Sequence, residues 1–266
     1  MELIMLGTGN AMVTRCYNTC FVLSSGEEYF LVDAGGGNGI FKQLEQAGVP
    51  FTGIREMFVT HAHTDHILGA IWVIRKIATL MSNDKYRRNF IVYGHNEVID
   101  ALRTFCRLTL PVKILKYIDE RIFWGEVKDG TRKEILGLPI CFFDILSTKM
   151  KQFGFRVLLP DGQVLVCLGD EPYEACKKYV EQADWLLAEA FCLYRDREIF
   201  SPYEKHHSTA LDAGRLAEAL GVKHLVLYHT EDKTLAERKE AYTREASSVF
   251  TGRVYVPDDL ERISLE

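Results

Sequence analysis

The sequence lacks the features that define fibrous, membrane-spanning or disulfide-linked proteins. Only 7 of its 266 residues are proline and 20 are glycine, which excludes collagen-like and low-complexity chains. There is no run of about 18 apolar residues, so no transmembrane helix is predicted. The seven cysteines are odd in number and have no framework spacing, and the first residues include no basic region typical of a signal peptide. We therefore expect free thiols and a cytoplasmic location.

Positive charge is also in deficit. The chain has 32 Lys and Arg against 37 Asp and Glu, a formal net charge of −5, which argues against a protein that wraps nucleic acid over its whole surface. The deficit is uneven, because residues 75–133 contain 13 basic and 7 acidic residues, a local charge of +6. We predict a basic helical segment here. It is either a solvated surface or a basic lip that attracts an anionic substrate to a neighbouring site.

Two common catalytic patterns are missing. No G-x-S-x-G sequence is present, so a serine nucleophile elbow is not expected. The glycine-rich run at 35–39 has neither the lysine of a phosphate-binding P-loop nor the spacing of a dinucleotide-binding fingerprint. This run predicts a turn instead.

Short apolar strands alternate with helices along the whole length, which indicates an α/β layered fold in a single domain over residues 1–266. A strand over 55–60 is followed by a loop and by a helix over 67–80. Thr209 and Asp212 have the spacing of a capping box, and Gly221 marks the end of the helix that they begin. The other strands predicted in the second half are residues 163–168, 184–188, 224–228 and 253–256.

The strongest chemical signal is the sequence Thr60-His61-Ala62-His63-Thr64-Asp65-His66, where a predicted strand gives way to a helix. Three of the eight histidines of the chain fall within six residues, beside a carboxylate. Imidazole nitrogens and carboxylate oxygens are the ligands that a borderline divalent ion such as Zn²⁺ prefers. His61 and His63 are two residues apart in extended chain and point the same way, whereas Asp65 and His66 begin the helix and face a neighbouring position.

This H-x-H-x-D-H sequence resembles the signature of the metallo-β-lactamase superfamily. Within it, the opening Leu6-Gly7-Thr8-Gly9 and the turn Asp33-Ala34-Gly35 are similar to ribonuclease Z and its relatives. The resemblance implies a metallo-β-lactamase-like four-layer αββα sandwich with two mixed sheets. It also implies a metal-dependent hydrolase and a homodimer.

The resemblance extends to further ligand positions. A strand that ends in Gly169-Asp170 matches the place of a metal-bridging carboxylate, and a late strand that ends in Tyr228-His229 matches the place of a last histidine ligand. The resemblance therefore implies one or two divalent ions, with Zn²⁺ preferred and Mn²⁺ or Fe²⁺ as alternatives. The implied ligands are His61, His63, Asp65, His66, Asp170 and His229.

Catalytic residues are implied in the same way. Glu189-Ala190-Phe191 and His207-Ser208-Thr209 resemble a strand end and a helix start of the ribonuclease Z relatives. His207 would then be a proton donor, Glu189 the carboxylate that positions it, and Asp65 the group that orients or deprotonates the attacking water. His206 is expected to be a surface residue.

The sequence also departs from the family pattern. A further histidine, normally present before a Gly-aromatic pair, is absent before Gly154-Phe155, where residues 146–148 are Leu, Ser and Thr. The first metal would then be held by His61, His63 and Asp170, completed by a water, by an oxygen of Ser147 or Thr148, or by a ligand from elsewhere such as His207. Weaker binding is expected there than at the second metal position, formed by Asp65, His66, Asp170 and His229.

A second departure concerns the substrate. Ribonuclease Z has a long tRNA-binding arm before its Gly-Asp strand, whereas only 15 positions separate Phe155 from Asp170 here, so tRNA is not the expected substrate. The resemblance favours a metal-bound hydroxide that attacks a small anionic phosphodiester or a short nucleic acid. Two alternatives stay open: a carboxylic ester, lactone or thioester hydrolase on the same fold, and a metal-binding protein with little catalysis.

Overall fold

The computed structural model describes residues 1–171 and 177–265, in two compact units. Unit 1 comprises Met1–Gly7, Tyr17–Val127 and Leu260–Glu266, and unit 2 comprises Thr8–Cys16 and Lys128–Asp259. Each unit has its own seven-stranded mixed sheet. The single domain expected from the sequence stays a prediction.

Unit 1 contains seven strands and four α-helices among its described residues. Its strands are β1 Glu2–Gly7, β2 Cys20–Ser25, β3 Glu28–Val32, β4 Ile54–Phe58, β5 Phe90–Gly94, β6 Ile122–Glu126 and β14 Arg262–Ser264. Its helices are α1 Ile40–Gln46, α2 Thr64–Ser82, α3 Asn96–Thr109 and α4 Val112–Leu115. The sheet order is β14-β1-β2-β3-β4-β5-β6, antiparallel from β14 to β3 and parallel from β3 to β6.

Helix α2 follows β4 and packs on the core of unit 1. Ile67, Ile74 and Ile77 recur at helical spacing and are at most 1% exposed, in one cluster with Met57 and Val59 of the preceding strand region. This burial stabilises the helix and fixes the position of its first turn, which contains Asp65 and His66.

Unit 2 contains the remaining seven strands. They are β7 Thr131–Ile135, β8 Leu138–Asp144, β9 Phe153–Leu158, β10 Val164–Cys167, β11 Trp185–Glu189, β12 His224–Tyr228 and β13 Arg253–Tyr255. Its described helices are α5 Lys177–Val180, α6 Arg197–Phe200, α7 Ala210–Leu220 and α8 Arg238–Ser247. The order is β13-β12-β11-β10-β9-β8-β7, parallel from β13 to β10 and antiparallel from β10 to β7.

The capping box predicted for α7 is confirmed. Thr209 is the N-cap, its hydroxyl oxygen accepts the backbone N–H of Asp212, and the Asp212 carboxylate accepts the backbone N–H of Thr209 in return. At the other end Gly221 has φ 68°, the left-handed conformation that ends many helices.

The basic segment at 75–133 is only partly helical. It includes the end of α2 and all of α3 and α4, but also strands β5 and β6, which the sequence analysis did not predict. Residues 90–93 are Phe-Ile-Val-Tyr, an apolar and β-branched run that pairs in parallel with both neighbours. Strands buried on both faces lose the alternation that identifies half-exposed strands, so such a short run is easily missed.

Three other expectations concern the chain in general. The sequence also predicts a helix at 172–182; this segment lies partly outside the described residues, and α5 falls within the described part. Cys16, Cys106, Cys141 and Cys192 are free thiols, and burial raises the pKa of Cys106 to about 12. None of the described helices is both long and apolar enough to cross a membrane.

Candidate metal centre and catalytic residues

The histidine motif lies at the carboxyl edge of the parallel strands of unit 1. β4 ends at Phe58, and residues 61–66 follow it into the first turn of α2. Asp33 follows the neighbouring parallel strand β3 and has φ 55°, an uncommon left-handed conformation for a residue other than glycine. Because carboxyl ends of parallel strands meet at one edge of the sheet, the two loops are brought together there.

The predicted ligands of unit 1 lie close together. His61 Nε2 is 2.9 Å from His63 Nδ1, and His66 Nε2 is 3.3 Å from Asp65 Oδ2. His61, Asp65 and His66 are 0%, 6% and 1% exposed. Buried imidazoles and a buried carboxylate are costly without a partner, whereas a divalent cation compensates all of them. The donor set therefore fits a metal ion.

Asp33 fixes the orientation of two of these histidines. Its Oδ2 accepts a hydrogen bond from His66 Nδ1 at 2.8 Å and another from the Thr60 hydroxyl at 2.8 Å. The Thr60 oxygen in turn accepts from His61 Nδ1 at 2.9 Å. Both rings thus have their hydrogen on Nδ1, which leaves Nε2 with a lone pair for a metal. The sequence does not predict this role for Asp33, although the position of Asp33 between an apolar strand and a glycine turn was the available signal.

The glycine-rich turn packs against the start of α2. The backbone N–H of Ala34 donates to His66 O, and the N–H of Gly69 donates to Gly35 O at 2.8 Å. A Cβ on Gly69 would lie 1.8 Å from Ala34 O, so only glycine permits this approach. The turn predicted at 35–39 is confirmed, and it holds the first turn of α2 in place.

In unit 2 the predicted site residues follow three neighbouring parallel strands. Asp170 comes after β10, Glu189 is the last residue of β11, and His229 follows β12 directly. All three are buried, at 2% exposure each. The sheet order thus explains why residues as far apart as 170 and 229 lie at one edge.

Asp170 and His229 are in direct contact. His229 Nε2 is 2.9 Å from Asp170 Oδ2, and His229 has φ 60°. The segment before Asp170 is held on two sides, because Tyr228 Oη donates to Gly169 O at 2.7 Å and Gln152 Oε1 accepts the N–H of Asp170 at 3.1 Å. These bonds fix the carboxylate of Asp170 beside the His229 ring.

His207 lies against the same group. Its Nδ1 is 3.1 Å from the backbone oxygen of Asp170 and 3.6 Å from Glu189 Oε2, and its ring stacks on Phe191 with centroids 4.6 Å apart. A carbonyl oxygen only accepts, so Nδ1 has the hydrogen. Glu189 Oε1 accepts the N–H of Ser208 at 2.5 Å, which fixes the backbone next to His207.

Within unit 2, Glu189, His207 and His229 form a group that could hold a metal ion. One ligand atom from each lies within 4.8 Å of the others. His207 is therefore placed where it can serve either as a ligand or as a proton donor, the two possibilities that the sequence left open. His206, expected at the surface, is exposed.

Residues 146–148 form the loop in which the further histidine of the family pattern is absent. The polar side chains of this loop contact other groups of the protein. Leu146 is 61% exposed, so it points away from the buried groups of unit 2. The Ser147 oxygen accepts the backbone N–H of Lys149 at 3.2 Å, and the Thr148 hydroxyl lies 2.9 Å from Glu171 Oε1.

Residues 85–88, Lys-Tyr-Arg-Arg, are the densest part of the basic segment and are remote from the histidine motif of unit 1. Tyr86 Oη donates to Ile54 O at 2.9 Å, and Arg88 pairs with Glu28 at 2.8 Å. Ile54 and Glu28 are the first residues of β4 and β3, whereas the motif follows the last residue of β4. His61 comes seven residues after Ile54, and seven residues of extended chain span roughly 20 Å. Of the two interpretations of the basic segment, the contacts of residues 85–88 favour the solvated surface.

Comparison with known proteins agrees with this fold. The family model described as anti-Pycsar protein Apyc1 matches residues 1–106. A ribonuclease Z from Thermobifida fusca is 27% identical, with 99% of this chain and 94% of that protein aligned. The metallo-β-lactamase fold protein YhfI from Bacillus subtilis has a TM-score of 0.79 at 20% identity, covering 98% of both chains. The short form of human tRNase Z has a TM-score of 0.76 at 20% identity, covering 100% of both.

The similarities to the ribonuclease Z and to the two solved structures extend over nearly the full length of the chain, and they confirm the predicted fold class. They also support the expectation of a ribonuclease Z-like hydrolase. The chain thus has the metallo-β-lactamase fold, and full-length sequence relatives of it are ribonucleases Z, as its motifs predicted.

Proposed function

We propose that this protein is a metal-dependent phosphodiesterase. The observation that supports the proposal most directly is the arrangement around His207 in unit 2. His207 donates its Nδ1–H to a backbone oxygen, and a buried carboxylate fixes the backbone beside it. Nε2 is therefore the ring nitrogen that can transfer a proton. Relatives named ribonuclease Z support the phosphodiester class.

We propose the six residues of the family resemblance as the metal ligands: His61, His63, Asp65, His66, Asp170 and His229. Their side chains supply four imidazoles and two carboxylates, a donor set suited to Zn²⁺ and also acceptable to Mn²⁺ or Fe²⁺. A divalent ion held by these residues would lower the pKa of a coordinated water and would place a positive charge near the phosphoryl oxygens.

The roles of the protein residues follow from their contacts. Asp65 orients the attacking water or takes its proton. His207 gives a proton from Nε2 to the leaving oxygen, and Glu189 is a positioning residue that acts through Ser208 and the His207 ring. Asp33 holds the His66 and, through Thr60, the His61 ring so that their Nε2 atoms stay available.

A small phosphodiester or a short nucleic acid is the proposed substrate. Residues 159–163 between β9 and β10 are a short turn, so the arm expected for tRNA binding is absent at this place in the described chain. A net charge of −5 favours a small anion over a large RNA, since a large RNA needs an extended basic surface.

The test compares two leaving groups in metal-loaded protein. A dinucleoside monophosphate expels an alkoxide that needs a proton, whereas bis(p-nitrophenyl) phosphate expels a stable phenolate. His207→Ala should lower kcat by about 10²- to 10⁴-fold for the dinucleoside substrate and far less for the nitrophenyl substrate. His224→Ala, at the other end of β12, is the matched control and should leave both rates near wild type.

Three outcomes would overturn the proposal or part of it. Equal losses for both leaving groups would exclude proton donation by His207. Turnover of lactones, esters or thioesters without turnover of phosphodiesters would favour the alternative hydrolase. Metal binding without any turnover, with Zn²⁺, Mn²⁺ and Fe²⁺ each tried, would indicate a metal-binding protein.

A further inference from the structure

The loop between β8 and β9 has a lysine beside the residues that the proposed function uses. This loop lies at the same edge of the unit 2 sheet as Asp170, because β9 begins where its antiparallel neighbour β10 ends. It is the segment in which the family histidine is absent. Lys149 is half-buried within it.

Hydrogen bonds give this loop a defined conformation. The Ser147 oxygen accepts the N–H of Lys149 at 3.2 Å and that of Met150 at 3.4 Å. The backbone N–H and the hydroxyl of Thr148 donate to the two carboxylate oxygens of Glu171, at 3.0 and 2.9 Å. Glu171 is 5% exposed. A buried carboxylate that accepts two bonds from one residue is a firm anchor, so the Lys149 backbone is fixed from both sides.

The Lys149 ammonium lies against the His207 ring. Its Nζ is 3.3 Å from Nε2 and 3.5 Å from Nδ1. Since Nδ1 has its hydrogen directed at the Asp170 oxygen, Nε2 accepts from the ammonium when the ring is neutral. When Nε2 carries the proton that His207 donates, it no longer accepts from Lys149. In residues 1–171 and 177–265, Lys149 makes no ion pair with a carboxylate. The ammonium has three hydrogens and uses one on the imidazole, so two are available to another acceptor.

We propose that Lys149 binds an anionic, nonbridging oxygen of the phosphodiester, adjacent to the leaving oxygen that His207 serves. This inference rests on the proposed function. A lysine is a compact point charge that suits a phosphoryl oxygen, and a half-buried one is poorly screened by solvent. Lys149 thereby distinguishes phosphodiesters, which are anionic, from lactones and thioesters, which are not.

Kinetics of three variants test the inference. Lys149→Met retains most of the side-chain length and removes the charge, and Lys149→Arg retains the charge. Lys151→Met is the matched control, since its ammonium lies 5.6 Å from the Phe153 ring instead. Lys149→Met should raise KM for a dinucleoside monophosphate by about 10- to 100-fold, the worth of a hydrogen bond to a charged group. Lys149→Arg should recover part of this loss, and Lys151→Met should stay near wild type.

A second measurement is independent of turnover. Inorganic phosphate is titrated by calorimetry into metal-loaded wild-type and Lys149→Met protein, and the variant should bind it about tenfold more weakly or worse. If phosphate affinity and KM both stay within twofold of wild type, Lys149 is not an anion-binding residue. If the wild type hydrolyses no phosphodiester, the proposed function fails, and the phosphate titration still decides the role of Lys149.

Discussion

Asp33 and Glu189 are buried carboxylates that each lie beside a histidine of their own unit. Asp33 accepts a hydrogen bond from His66 Nδ1 at 2.8 Å, and Glu189 Oε2 is 3.6 Å from His207 Nδ1. Asp33 determines which nitrogen of the His66 ring stays available, and Glu189 fixes the backbone beside His207 through the N–H of Ser208. Neither side chain needs to touch a substrate for its loss to change the chemistry of the site.

Asp33→Asn is the residue-scale prediction. The amide keeps the shape of the side chain but loses the charge that orients the His66 ring, so metal affinity should fall by about 10- to 100-fold. Competition with a chromophoric chelator measures the affinity. Asp84→Asn, on an exposed residue that pairs with Arg87, is the control and should have no effect. Unchanged metal affinity in a folded Asp33→Asn protein would contradict the assignment of His66 as an oriented ligand.

At the scale of elements, the ends of parallel strands determine where the functional residues lie. In unit 1, β3 and β4 end at Asp33 and at the histidine motif, and in unit 2, β10, β11 and β12 end at or beside Asp170, Glu189 and His229. Helices then fix the loops: α2 begins within the histidine motif, and α7 begins directly after His207 and its neighbours Ser208 and Thr209.

The α7 capping box gives the element-scale prediction. Thr209→Ala removes the side-chain oxygen that accepts the Asp212 N–H and should lower the free energy of unfolding by about 1 kcal/mol. Urea unfolding monitored by circular dichroism measures it. Thr104→Ala, at an exposed position within α3, is the control and should change stability little. A loss at Thr209 no larger than that at Thr104 would show that the cap does not stabilise α7.

On the scale of the whole molecule, the two sheets have related plans. Each has three antiparallel and three parallel pairings, and the predicted ligands follow the parallel strands in both units. The proposed ligands are buried polar groups, and an ion that binds only the folded chain stabilises that state by mass action.

Removal of metal is therefore expected to lower the temperature of thermal unfolding. An ion at 100 times its Kd adds about 2.7 kcal/mol to the free energy of unfolding. In a chain of this size, this raises the unfolding temperature by roughly 5–10 °C. Differential scanning calorimetry with and without EDTA measures it. His63→Ala should reduce the shift, and His224→Ala should retain it. Identical transitions with and without the chelator would exclude a metal bound by the folded chain.

Several elements were predicted almost residue for residue. Strand β12 is observed at 224–228, as its apolar run indicated, and Thr209, Asp212 and Gly221 bound α7 as expected. These predictions succeeded because they depend on local signals, such as apolar periodicity and caps. β5 and β6 were missed, and the sequence did not decide between the two interpretations of the basic segment, because both depend on which strands are neighbours.

The sequence by itself determined the types and spacing of four of the six proposed ligands, since the H-x-H-x-D-H motif places them within six adjacent residues. Only the tertiary structure decided which groups support them. Asp33 and His66 are 33 residues apart, and Lys149 and His207 are 58 apart. No local pattern specifies such contacts, because they form where the ends of neighbouring strands and their loops meet in the folded sheet.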